Sequence, residues 1–151
     1  MRVLIAGSIT RDTNFFDDDA RSAQGGTVLY AARTYRLLGV DCRVATSAAE
    51  PIADAFPSDV ELHVTPSPVT TTFENYYRTD QSRSQRAPHL APPLPFAASL
   101  LEGVTWVHLG PLHPHDLAPE WYQIAHIPCA LDVQGLCRSV DQRRSGAARP
   151  S

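Results

Sequence analysis

The chain has 151 residues, 43% of them hydrophobic and 19% charged, which suits one ordinary domain with a sizeable buried core. Its formal charge of -3 gives no general attraction for nucleic acid or an anionic membrane, so a small molecule is the expected partner. All thirteen basic residues are arginine, which excludes a Schiff-base lysine and the phosphate-binding lysine of a P-loop.

The first element expected is a strand over Val3 to Ile9, a short apolar run suited to burial on both faces of a parallel sheet. A polar turn around Asp17-Asp18-Asp19 follows, and then the glycine pair Gly25-Gly26 opens a helix. Val28, Leu29, Ala31, Ala32, Tyr35 and Leu38 recur at helical spacing, and Gly39 is placed to cap the C-terminus. A helix start exposes unpaired backbone N–H groups and the positive end of the helix dipole. Two residues without Cβ atoms let a polar ligand come close to that backbone. The same residues also read as a simple turn before a packed helix.

Strands are expected over Cys42 to Thr46 and Val60 to Val64, with a helical turn between Pro51 and Pro57. Phe96 to Leu101 reads as a helix, Thr105 to Leu109 as a strand, Pro119 to Ala125 as a helix and Ala130 to Val133 as a strand. This alternation implies an α/β layer fold built on a mostly parallel sheet. One segment breaks the rhythm. Val69 to Arg78 is rich in Thr and aromatics with period-two faces, and Phe73, Asn75 and Tyr77 share one side. That pattern suits an extended flap over a site, or else an irregular surface hairpin. Pro88, Pro92, Pro93 and Pro95 form a stiff connector back to the main layer. From Ser139 to Ser151 no apolar period of either kind is present, and a disordered tail is expected.

Cys42, Cys129 and Cys137 match no paired-cysteine zinc or redox motif, so reduced thiols and a cytoplasmic location are expected. The N-terminal apolar run is too short for a signal-peptide core, and no stretch approaches the ~20 apolar residues of a membrane span. His113-Pro114-His115-Asp116, with His108 upstream, gathers potential metal ligands, although its prolines suit a rigid polar loop equally well. A Rossmann dinucleotide fold is a rival for the opening strand, but the Gly-x-Gly-x-x-Gly fingerprint is missing after it.

Taken in order, Gly7-Ser8-Ile9-Thr10-Arg11-Asp12 after the first strand, the Gly25-Gly26 helix, and the Leu38-Gly39 exit into a strand resemble the ribokinase-like (PfkB) carbohydrate kinases. The resemblance covers residues 1 to 138. It implies a truncated α/β ribokinase-like domain, with a mostly parallel sheet, flanking helices, a small antiparallel lid at about 69–86, and the C-terminal half of the fold absent. It further implies that Asp12, Gly25 and Gly26 contact the hydroxyls of a sugar or polyol, with Phe73 and Tyr77 contributing from the lid. A carboxylate can accept from two neighbouring hydroxyls and backbone N–H groups can donate to others. Asp12 can equally be a turn acid that caps local backbone.

Leu131 to Arg138 resembles the family's strand-end Asp-x-Asn or Asp-x-Gln-Gly stretch, which implies a phosphate or magnesium neighbourhood at Asp132 and Gln134. ATP and magnesium are the family's cofactors, and none is expected with this chain by itself. Departures are also present: Tyr30 and Thr10 stand where the family often carries Asn, and Ala48-Ala49-Glu50-Pro51 replaces a common glycine and acid. The Gly-Ala-Gly-Asp anion hole and the catalytic base, carried by the C-terminal half in the family, are not matched here. The 151-residue chain is therefore expected to bind a sugar or polyol without turning it over. The alternative is a non-catalytic small-ligand or assembly module. Neither nucleic acid nor membrane is an expected partner, and a homodimer through the lid or an exposed sheet edge is.

Overall fold

The computed structural model describes residues 1–139, and most of the expected tail lies outside them. Five parallel strands form the base sheet: β1 (Arg2–Gly7), β4 (Asp41–Ala48), β5 (Glu61–Pro66), β8 (Trp106–Gly110) and β9 (Cys129–Leu131), in the order β5-β4-β1-β8-β9. The central strand β1 pairs with β4 on one side and β8 on the other. Its period-two alternation supplies both layers of the core. Val3 and Ile5 pack with Val28, Leu29 and Ala32 of the helix, whereas Leu4 and Ala6 pack on the opposite face with Ala45, Val107 and Leu109.

The single α-helix among the described residues, α1 (Thr27–Leu37), runs where the sequence places it and ends at Leu38, with Gly39 at φ 72 supplying the left-handed exit. Leu38, assigned to the apolar stripe from its spacing, is exposed instead. It sits at the C-cap, where the helical rotation no longer turns side chains toward the sheet.

The other face of the sheet corrects the expectation of two further helices. Ala98–Leu101 and Pro119–Gln123 are short 3-10 segments. Pro95 and Gly103 bound the first, and Pro119 and Pro128 bracket the second, so neither stretch can accumulate the i to i+4 bonds that offset helix nucleation. A fully buried Trp121 fills the space instead. Its indole N–H donates to the Leu94 carbonyl at 3.0 Å, and Phe96 meets it edge to face with ring centroids 5.1 Å apart. Arg43, also buried, donates to Glu61 and to the carbonyls of Leu100 and Glu102, which ties the first 3-10 segment to β4.

The polar turn expected around Asp17 is present, flanked by two strands that were not expected. It is the turn of a hairpin between β2 (Thr10–Phe16) and β3 (Asp19–Gly25), with Asp17 at φ 46. These strands join β6 (Thr71–Tyr77) and β7 (Arg83–His89) in a second sheet of order β3-β2-β6-β7. The expected antiparallel flap is thus one half of a four-stranded mixed sheet whose two outer pairs are antiparallel and whose central pair, β2 with β6, is parallel. Pro88 lies inside β7, at the edge of that sheet, rather than in a connector. In-register aromatics stack across the central pair, Phe15 on Tyr76 and Phe16 on Tyr77, at 4.6 and 4.8 Å between centroids. No helix among the described residues is long and apolar enough to cross a membrane.

Candidate functional site

A cavity of about 620 Å³ lies between the inner face of the second sheet, the start of α1 and the C-terminal ends of β8 and β9. Its position follows from strand register. Thr10 and Asp12 of β2 point the same way as Phe73 and Asn75 of β6, because Thr10 pairs with Thr71 and Asp12 with Phe73. Opposite Asn75 on β7 is Gln85, and Arg83 lies two residues earlier on the same face. All but Thr71 of these line the cavity, together with Gly26, Thr27, Tyr30, Thr34 and Tyr35 of the helix region and His108, Leu112, Asp132, Gln134 and Arg138 from the base sheet and its loops.

Five of the seven residues singled out from the sequence therefore meet at one place: Asp12, Gly26, Phe73, Asp132 and Gln134. Gly25 stands behind Asp12. A Cβ there would come within 2.6 Å of the Asp12 Oδ2 and 2.9 Å of the Thr10 Oγ1, so the missing side chain makes room for the carboxylate. Gly26 has a separate requirement. It is the N-cap of α1 at φ 99, and a Cβ would run into the Ser8 carbonyl and the Ile9 backbone. Tyr77 does not line the cavity. It packs against Phe16 with the Arg83 guanidinium over its ring, stiffening the lid beyond the cavity wall.

The electrostatics centre on Asp12. Its Oδ1 is buried without a hydrogen-bond partner among the described residues. Burial pushes its pKa up, while the Thr10 hydroxyl and the guanidinium charges of Arg83 and Arg138 pull it down. A buried acceptor left unpaired in a cavity wall is costly unless something from outside donates to it. Around it a polar network is already satisfied. Asn75 donates to Asn14 at 2.9 Å and accepts from Arg83 and Gln85 at 2.7 and 2.8 Å. Arg138 crosses from the base to the lid, its guanidinium 5.4 Å from the Phe73 ring centroid and donating to the Leu112 carbonyl at 3.0 Å.

Sequence reasoning did not single out Asn75, Arg83, Gln85 or Arg138 as site residues. The period-two side shared by Phe73 and Asn75 carried part of the signal, but the partner strand β7 reads as an ordinary polar stretch, RSQRAPH.

The histidine-rich loop does not gather as a metal site, and among the described residues no three His, Cys, Asp or Glu side chains do. Asp116 is fully engaged as an acceptor for Ser8 Oγ and the Leu112 N–H, and His113 Nε2 lies 3.3 Å from it, so the cluster fastens the loop after β8 to the loop after β1. Asp132 Oδ1 accepts from the Gln134 N–H at 2.9 Å. All three cysteines are free thiols, and burial pushes that of Cys42 up to about 11, far from a reactive thiolate.

No family model matches the sequence, and no curated protein does. Solved structures do. A pyrophosphate-dependent kinase in the ribokinase family, determined as a sulfate complex, is 28% identical over 89% of this chain and 51% of its own, with a TM-score of 0.70. A pyrophosphate-dependent myo-inositol-1 kinase, converted by mutation into a myo-inositol-3 kinase, is 25% identical over 94% of this chain and 50% of its own, with a TM-score of 0.74. Arabidopsis thaliana ribokinase complexed with ribose and ATP shares the fold at 14% identity, covering 88% of this chain and 53% of its own, with a TM-score of 0.65. The fold is ribokinase-like, and the chain spans about half the length of the solved structures it matches.

Proposed function

We propose that this chain, carrying a ribokinase-like fold, binds a small neutral sugar or polyol in the cavity between lid and base, and that it represents the substrate-holding part of a carbohydrate kinase. The observation that carries the reading is the Asp12 carboxylate, whose Oδ1 is buried without a partner in a cavity of ligand size. Vicinal hydroxyls are the chemistry that would satisfy it, each donating to one carboxylate oxygen. The amides at the start of α1, brought near by Gly26, add donors on a second side, and Phe73 offers an apolar face. The ligands bound by similar proteins, myo-inositol and ribose, belong to the same chemical class.

In the complete reaction the γ-phosphate of ATP would pass to a hydroxyl of the bound polyol. Asp132 and Gln134, which line the cavity, would be the neighbourhood of the phosphate and its magnesium ion, Asp132 being a hard oxygen donor of the kind magnesium accepts. Pyrophosphate is a second reading for the donor, favoured by the two similar kinases described as pyrophosphate-dependent. The clustered groups bind and orient a polyol about equally in ground and transition states, so the 151-residue chain alone is expected to bind without turnover. Association of two copies through the lid or the β9 edge is part of this proposal, because β9 is a short edge strand followed by exposed Val133 and Leu136.

Titration calorimetry with ribose, myo-inositol and related polyols tests the reading. Asp12→Ala should weaken the preferred ligand by about 1–3 kcal/mol, the cost of losing a buried polar partner. Equal binding by wild type and variant would remove Asp12 from the site. Mass-spectrometric detection of a phosphorylated product with ATP or pyrophosphate tests the turnover statement.

A further inference from the structure

The floor of the cavity holds a pair of side chains that the polyol reading does not use. His108 lies within β8, half-buried, and its Nδ1 is 3.2 Å from the Tyr35 hydroxyl of α1. The two rings meet edge to face, 5.8 Å apart at 90°, and both line the cavity.

The proton positions follow from the neighbours. Burial, and Cys42 after it, push the Tyr35 pKa up against an opposing pull from Trp106, so the phenol keeps its proton. The acceptor within reach is His108 Nδ1. Burial also lowers the His108 pKa, with the Asp132 charge opposing, so the ring is neutral near pH 7. A neutral imidazole that accepts at Nδ1 carries its proton on Nε2. Nε2 has no hydrogen-bond partner among the described residues, and it is not one of the sealed polar atoms.

We infer that Tyr35 fixes the tautomer of His108 so that its Nε2–H is an uncharged donor, aimed at an acceptor oxygen of a neutral polyol from the sheet side while Asp12 accepts from the lid side. The inference rests on the polyol reading of the cavity. It adds a specificity determinant: a hydroxyl or ring oxygen is required at one further position, since an analogue lacking it leaves the N–H unpaired.

The experiment is long-range proton–nitrogen NMR of the imidazoles in the full 151-residue chain, with the His108 signals assigned by their loss in His108→Gln. In the ligand-free protein Nδ1 should resonate as a bare nitrogen and Nε2 as a protonated one, and Tyr35→Phe should convert this to a mixture of tautomers. Added myo-inositol should shift Nε2. Its affinity should fall roughly tenfold in His108→Ala and no more than about threefold in His108→Gln, which keeps an N–H donor. A proton found on Nδ1 overturns the inference. So does unchanged affinity in His108→Ala when Asp12→Ala weakens binding, an outcome that leaves the polyol site standing. Failure of the wild type to bind any polyol defeats both readings.

Discussion

Gly25 and Asp12 compete for one volume. The Asp12 carboxylate occupies the space that a side chain on Gly25 would fill, with Oδ2 2.6 Å from the position of its Cβ. At the next residue the obstacle is different in kind, because a Cβ on Gly26 meets the backbone of Ser8 and Ile9, and φ there is 99.

Adjacent glycines therefore have separable effects. Gly25→Ala displaces a side chain that can swing away, so the fold should melt within a few degrees of wild type. Polyol affinity should fall about tenfold or more as Asp12 leaves its place. Gly26→Ala forces backbone strain and a clash at the helix start, and should cost about 2 kcal/mol or more of stability. Thermal melts paired with calorimetry on the two variants distinguish the effects. Loss of stability in both, with affinity preserved in the folded fraction of Gly25→Ala, would contradict this division.

Asp12 should make the protein less stable as pH rises. Its folded pKa is raised above 3.8, chiefly by burial, so below that value it is protonated in folded and unfolded chains alike and imposes no charge-burial cost. Through the interval between 3.8 and the higher folded pKa, the unfolded chain ionises first and this stability is lost. Asp12→Asn should accordingly melt higher than wild type at pH 7 and converge with it near pH 3.5, while binding polyol more weakly. Melting curves across that range check the sign. A variant that is less stable at pH 7 would show that the ionised carboxylate is stabilised in the folded state.

The 3-10 face of the sheet depends on one side chain. Trp121 is fully buried, donates to Leu94 and packs on Phe96. Trp121→Ala leaves a large cavity and removes one of the two hydrogen bonds to the Leu94 carbonyl, which keeps the Ala118 N–H, a loss of about 3–5 kcal/mol. Trp121→Phe retains the ring contact and should lose less. Urea unfolding curves measure both, and equal stability of the two variants would mean that the ring contact retained by Phe contributes nothing.

What the sequence reveals follows from how each signal is encoded. The base sheet and α1 are legible because Val3 to Ala6 alternate between two apolar layers and Val28, Leu29 and Ala32 repeat at helical spacing. The hairpin β2–β3 is hidden: its outer strand DARSAQG is exposed over six of seven residues and carries no buried face to impose a period. The two 3-10 segments carry apolar residues like helices, but their prolines cap the length, and the closing contact of Trp121 with Leu94 spans 27 positions. For the site, the local signature at Asp12 and the glycine pair is readable. The contribution of Arg83, Gln85, His108 and Arg138 arises from strand register and chain crossings that no local pattern records.

Arg138 illustrates the last point and yields the final prediction. Its guanidinium rests over the Phe73 ring of the lid at 5.4 Å and donates to Leu112 of the base at 3.0 Å, so one side chain spans the cavity's two walls. Both contacts use the flat, delocalised cation, which an ammonium group on a flexible stem does not reproduce. Arg138→Ala should leave the base sheet unchanged while exchange of backbone amides in β6 accelerates, because the lid loses a tie of about 1 kcal/mol. Polyol affinity should fall several-fold, since the ligand must then also order the lid. Arg138→Lys should behave like the alanine variant rather than like wild type. Hydrogen exchange followed by mass spectrometry reads the lid separately from the base. Full protection of β6 in Arg138→Ala would place the tie elsewhere, with the Asn75 network the next group to test.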